Sequence, residues 1–128
     1  MTVAGRGDRG QSTVEFAMIL PLVALVLLLL VQAGLVVRDQ LLVSHAAREA
    51  ARAAAVSEND RTGAALDAAR ESGPLERDRL SGTVAMGGGG TAVRVVITYR
   101  SPTELAVIGP LVPDITLSSS VVMRVESK

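Results

Sequence analysis

The sequence predicts an α+β protein. Its expected parts are a long N-terminal helix that crosses a membrane and continues outside it, a second short helix, and a small antiparallel sheet of about three strands. Three observations lead there. From Phe16 to Val37 the only polar side chain is Gln32, and a helix of that length covers about 33 Å, enough for a hydrocarbon core of about 30 Å. Gln40–Val56, QLLVSHAAREAARAAAV, then continues with strong helix formers and no Gly or Pro. Beyond residue 82 the apolar residues recur at every second position, the period of a half-buried strand. The expected division is residues 1–10 as a cytoplasmic leader, 11–56 as the transmembrane and extended helix, and 57–128 as an extracytoplasmic α+β domain.

Residues 1–10 are polar, carry three Gly, and show no periodicity, which predicts an unstructured leader. Two Arg against one Asp give it a small positive excess, while Arg38 and Asp39 on the far side of the apolar run cancel. This favours the N-terminus inside and the C-terminal domain outside.

Glu15 lies directly against the apolar run. A charge at the centre of a bilayer costs roughly 2.5–3.5 kcal/mol on insertion scales and less near the interface, so an ionisable group there usually has a partner. The surrounding residues, Gly10-Gln11-Ser12-Thr13-Val14-Glu15-Phe16, resemble the processing site of type IV pilin-like proteins, in which a prepilin peptidase cuts after the Gly. That resemblance implies Gln11 as the first mature residue and Glu15 as the fifth. It also implies that Glu15 pairs with the N-terminal amine of a neighbouring subunit, Phe16 accompanying it in the assembly motif. Two other readings stand beside it. Val31-Gln32-Ala33 has the small-x-small form of a signal-peptidase site, which would release a secreted domain beginning at Gly34. An uncleaved chain would be a single-pass anchored binding module, with Glu15 an interfacial polar residue.

Pro21 removes one helical hydrogen bond and predicts a kink or local unwinding near residues 17–21. Farther on, Ala46, Ala50 and Ala54 form one stripe and Ala47, Ala51 and Ala55 the adjacent one. Such small residues let another backbone approach closely. Ser57-Glu58-Asn59-Asp60 supplies N-cap candidates for a second helix, Arg61–Ser72, which ends at Gly73-Pro74. Its narrow apolar face is Ala65, Leu66 and Ala69.

Gly82–Met86 is a short strand and Gly87–Gly90 a hairpin turn. The glycines lead into a strand and not into a helix, so they do not form a phosphate cradle. In Thr91–Arg100, Val93, Val95, Ile97 and Tyr99 point one way. In Ile115–Glu126 the inward set is Ile115, Leu117, Ser119, Val121, Met123 and Val125. Between them, Ser101–Pro113 contains three Pro and the apolar segment Leu105-Ala106-Val107-Ile108. It is expected to cover the sheet, with contact to lipid headgroups or to a partner as alternatives.

Thirteen basic and thirteen acidic residues balance without a cluster, which argues against a nucleic-acid partner. There is no Cys, and His45 is the single His, so neither thiolate catalysis nor a recognisable metal-ligand spacing is available. No catalytic residue, metal site, cofactor or small-molecule substrate is expected, and the chain is not read as an enzyme.

The whole pattern resembles the TadE-like family of tight-adherence (Flp-type) pilus systems. The resemblance rests on Gly10-x4-Glu15-Phe16, the single apolar helix, the Ala/Arg-rich continuation Ala46-Ala47-Arg48-Glu49-Ala50-Ala51-Arg52, and the β-rich end closing in Val122-Met123-Arg124-Val125-Glu126. It implies a minor pilin or pseudopilin, because a major Flp pilin has little beyond its helix. It further implies a prepilin peptidase, other pilin or pseudopilin subunits, the pilus assembly platform and membrane lipid as partners.

Overall fold

The computed structural model describes residues 8–105, 107 and 109–126. Residues 1–7 of the expected leader lie outside the described residues, as do Ala106 and Ile108 of the apolar segment 105–108. The elements are α1 (Asp8–Val56), α2 (Arg61–Glu71), β1 (Leu80–Gly87), β2 (Ala92–Ser101) and β3 (Ile115–Arg124). The sheet is antiparallel in the order β1-β2-β3. The α+β architecture expected from the sequence is the one observed.

The helix α1 is a single helix of 49 residues, about 73 Å long at 1.5 Å per residue. One expectation about it needs correction. Asp8, Arg9 and Gly10, assigned to an unstructured leader, are helical. Propagating a helix already nucleated by the following residues adds one hydrogen bond per residue, so a polar first turn needs no periodicity of its own. Of the two outcomes expected at Pro21, local unwinding is not seen, since residues 17–21 are all helical. One missing N–H is tolerated where the hydrogen bonds on either side hold the helix.

From Gly10 to Val56, α1 contains a window of mean hydropathy 2.8, none of it buried. This segment is long and apolar enough to cross a membrane. The outer part of α1 behaves differently. Val43, Ala46, Ala47, Ala50, Ala51 and Ala54 are fully buried and Ala55 nearly so. They pack against α2 and the sheet of the same chain. Both alanine stripes are therefore occupied from within. The backbone they admit closely is this chain's own.

Asp60 caps α2 by accepting a hydrogen bond from the Gly63 amide at 2.8 Å. Ala65 and Ala69 are buried and Leu66 half-buried, and the helix ends before Gly73-Pro74 as expected. In β2, Val93, Val95 and Ile97 are fully buried and Tyr99 nearly so, while Arg94 and Arg100 are exposed. Their partners on the same face are Leu80, Gly82, Val84 and Met86 of β1, and Leu117, Ser119, Val121 and Met123 of β3. Strand β1 runs two residues before and one residue beyond its expected ends, because ladder pairing extends past the apolar alternation. Strand β2 is shifted by one residue, and β3 stops at Arg124, two residues short of the expected Glu126, where its pairing with β2 ends. A three-glycine turn joins β1 to β2. Gly88, Gly89 and Gly90 all have positive φ, which side chains with a Cβ rarely adopt.

The inward face of the sheet is covered by α1 and α2, not by the β2–β3 connection as expected. Within that connection Val107 is 65 % and Leu111 75 % exposed. A helix supplies a continuous apolar face, whereas the three prolines of this segment prevent the regular pairing or coiling that would cover one.

Candidate functional site on the N-terminal helix

Gly10, Gln11, Glu15, Phe16 and Pro21 all lie on the exposed N-terminal part of α1. Helical spacing brings two of them together. The side-chain amide of Gln11 donates to a carboxylate oxygen of Glu15 at 3.2 Å, one turn apart on an exposed face. This gives the carboxylate a polar neighbour at the threshold of the apolar run. Gly10 directly precedes Gln11, and a Cβ built there would find no described atom within 4 Å beyond its chain neighbours and the helix's own backbone. The neighbourhood of Gly10–Gln11 is sterically open. Phe16 is 66 % exposed and Pro21 is exposed too, so neither is used in packing within the chain. Val14, Met18, Ile19, Leu20, Leu22 and Val23 share that exposure.

Below the domain, one stripe of α1 departs from this pattern. Leu28, Leu35, Val36 and Asp39 are half-buried and Gln32 is buried, while Leu27, Leu29, Leu30, Val31, Ala33, Gly34 and Val37 are exposed. Gln32, the only polar residue of the apolar run, is thus the one residue of it that is buried, and its carbonyl oxygen has no hydrogen-bond partner among the described residues.

Where α1 leaves the apolar run it is latched to the sheet. Ser101 donates to a carboxylate oxygen of Asp39 at 2.7 Å, and Gln40 donates to the Ser118 carbonyl at 3.2 Å. Ser101 occupies the inward position after Val93, Val95, Ile97 and Tyr99, where a polar group needs a partner. The alternation of β2 is the signal that could have placed Ser101 inward, although Ser101 is expected from the sequence in the following connection and nothing in the sequence singles out Asp39.

At the same end of the sheet Arg79 bonds Glu76 at 2.7 Å and Asp114 at 3.1 Å. The Asp114 carboxyl is held below the usual carboxylate range, first by the Thr103 amide and then by Arg79. Arg79 is correspondingly raised, chiefly by Asp114. Burial pushes the Tyr99 hydroxyl above its ordinary range, opposed by a hydrogen bond with the Glu76 backbone. An open groove on the outer face is lined by Ser81, Thr98, Arg100 and Thr116 together with Asp78, Arg79, Leu80 and Asp114. Among the described residues no group of three or more His, Cys, Asp or Glu side chains is placed to hold a metal ion, and His45 is exposed on α1.

Residues 10–52 match the family model described as TadE-like protein. The match spans about a third of the chain, from Gly10 through the apolar run to Arg52. No curated protein and no solved structure matches the chain.

Proposed function

We propose that this chain, TadE-like over residues 10–52 and so associated with Tad-type pili, is a minor pilin-type subunit of a tight-adherence (Flp-type) surface pilus. In this reading α1 anchors it in the cytoplasmic membrane, N-terminus in and domain out. A prepilin peptidase cuts after Gly10 and leaves Gln11 as the first mature residue. Glu15 then pairs with the new amine of a neighbouring subunit and sets the axial register between packed helices, while Phe16 and the apolar surface around it meet other pilin or pseudopilin subunits and the assembly platform. The role is structural and not catalytic.

The observation that carries the reading is the register Gly10-x4-Glu15-Phe16 at the mouth of an apolar helix, within the TadE-like segment. The exposure of α1 up to Leu27 supports it, because that surface is left for lipid and for other helices. Gly10 also lowers the cost of the step before assembly. A peptidase needs an extended peptide bond, Gly10–Gln11 is helical, and Gly is less favourable than Ala within a helix by about 1 kcal/mol.

Intact mass and N-terminal peptide mapping of the protein from native membranes test the proposal. A chain starting at Gln11 supports it. One starting at Gly34 makes the protein a secreted domain, and one starting at its first residues an uncleaved anchored module; either rejects processing. Gly10→Leu is expected to block the cut. Glu15→Ala is expected to leave insertion intact, since it removes a charge, and to impair filament output. Normal pili from that variant would remove Glu15 from the mechanism.

A further inference from the structure

The β2–β3 connection begins at Ser101, and Ser101 is bonded to Asp39, two residues beyond the apolar run of α1. Ile115, opposite Ser101 in the ladder, returns the chain to the same level. The connection is therefore rooted where α1 leaves the membrane, at the end of β2 opposite the three-glycine turn. The covered stripe of α1 starts at that root and runs down the helix through Val36, Leu35 and Gln32 to Leu28. From Asp39 to Gln32 is about 10 Å along the axis. The hairpin turn and the C-terminal end of β3 lie at the far end of the sheet. The α2–β1 connection also reaches the near end, with Gly73 facing Leu42 one turn farther from the apolar run, but the segment 102–114 is the one rooted at Asp39 itself.

We infer that the β2–β3 connection lies along the outer end of the membrane helix, with one side on the Leu28–Asp39 stripe and the other in the interfacial region of the outer leaflet. Its described residues divide accordingly. Leu105, Gly109 and Val112 are half-buried, whereas Val107, Pro110 and Leu111 are exposed. Leu105 to Pro113 contains no charged or hydrogen-bonding side chain. Nonhelical backbone near hydrocarbon is costly unless its polar groups are paired or buried in protein. Two features lower that cost here. Pro102, Pro110 and Pro113 have no N–H to leave unpaired, and the Gly109 amide donates to the Leu105 carbonyl at 2.7 Å. The occupant of the exposed side is lipid, because the patch is apolar and is rooted at Asp39, where the apolar surface of α1 ends. The inference rests on α1 crossing a membrane, and is independent of processing at Gly10 and of filament assembly.

The chain has no cysteine, so single-cysteine variants can be labelled at one site. Leu111→Cys and Val107→Cys, each carrying an environment-sensitive fluorophore, are compared in the full chain with Leu25→Cys within the span and Thr83→Cys on the outer face of β1. The vesicles are phosphatidylcholine with a nitroxide on the acyl chain near the headgroup. Quenching at 111 and 107 as at 25, with 83 bright, is the expected result. Quenching at 25 while 111 and 107 stay as bright as 83 overturns the loop placement alone. Bright probes at 25 as well overturn the membrane reading of α1 together with it. Shielding at 111 that follows the protein-to-lipid ratio but ignores the nitroxide identifies a second copy of the chain as the occupant and rejects lipid.

Discussion

Ser101 donates a 2.7 Å hydrogen bond to Asp39 across 62 residues of sequence, and thereby fixes the last residue of β2 to the first turn of α1 beyond its apolar run. Ser101 is 2 % exposed, so losing the pair leaves a carboxylate without its donor in a half-closed site. Hydrogen bonds to charged groups contribute about 1.5–3 kcal/mol.

Ser101→Ala is accordingly expected to destabilise the domain by about 2 kcal/mol. Tyr99, the only tyrosine of a chain without tryptophan, lies in the core. Its fluorescence therefore follows unfolding of the domain in the full chain in micelles. Asp39→Ala and the double variant complete a cycle, and additive effects would mean that the two residues do not act as a pair.

Ala50 is fully buried between α1 and the rest of the domain. Ala50→Leu forces extra carbons into a closed contact and is expected to cost about 1–3 kcal/mol. Arg52→Leu, on the exposed side of the same helix, should stay within about 0.5 kcal/mol. If the alanine stripes instead served contacts between subunits, Ala50→Leu would leave the unfolding of the isolated chain unchanged and act only on filaments.

The pH dependence follows from Asp114. Its folded-state pKa is lowered by Thr103 and Arg79. A carboxyl depressed on folding contributes stability that is fully present above its unfolded value, about 3.9, and disappears as pH falls through the lower folded value. Asp114→Asn should therefore flatten the acid limb of the stability curve below about pH 4 while leaving its slope near neutrality unchanged. Thermal unfolding followed through Tyr99 across that range checks it. An unaltered acid limb would place the titrating group elsewhere.

Much of this architecture was legible because its signals are local. The alternation Val93, Val95, Ile97, Tyr99 sets the phase of β2 without knowledge of any partner, and Asp60 before a run of helix formers marks the start of α2. In β3 the same phase holds for Leu117 to Val125 but fails at Ile115, which is 38 % exposed. Ile115 sits opposite Ser101 at the end of the ladder, where periodicity continues but the cover does not. The alanine stripes of α1 were equally visible, but small side chains specify only a close approach and do not say what approaches. Gly82 is similar. A Cβ there would lie 2.7 Å from the side chain of Ile97, its ladder partner on β2, and 3.1 Å from that of Leu66 on α2, a crowding that strand pairing and the packing of α2 on β1 create together. At the candidate site, the Gly10, Glu15 and Phe16 register is written in consecutive residues, whereas the Asp39–Ser101 latch joins segments no local pattern connects.

The absence of any hinge between the apolar run and the domain makes α1 behave as a camshaft. Successive residues turn by about 100° and advance 1.5 Å, so the azimuth at which the sheet stands out from the axis is set by the number of residues between Glu15 and Val43. The Asp39 latch is the key that fixes the lobe on its shaft at the level where the apolar run ends.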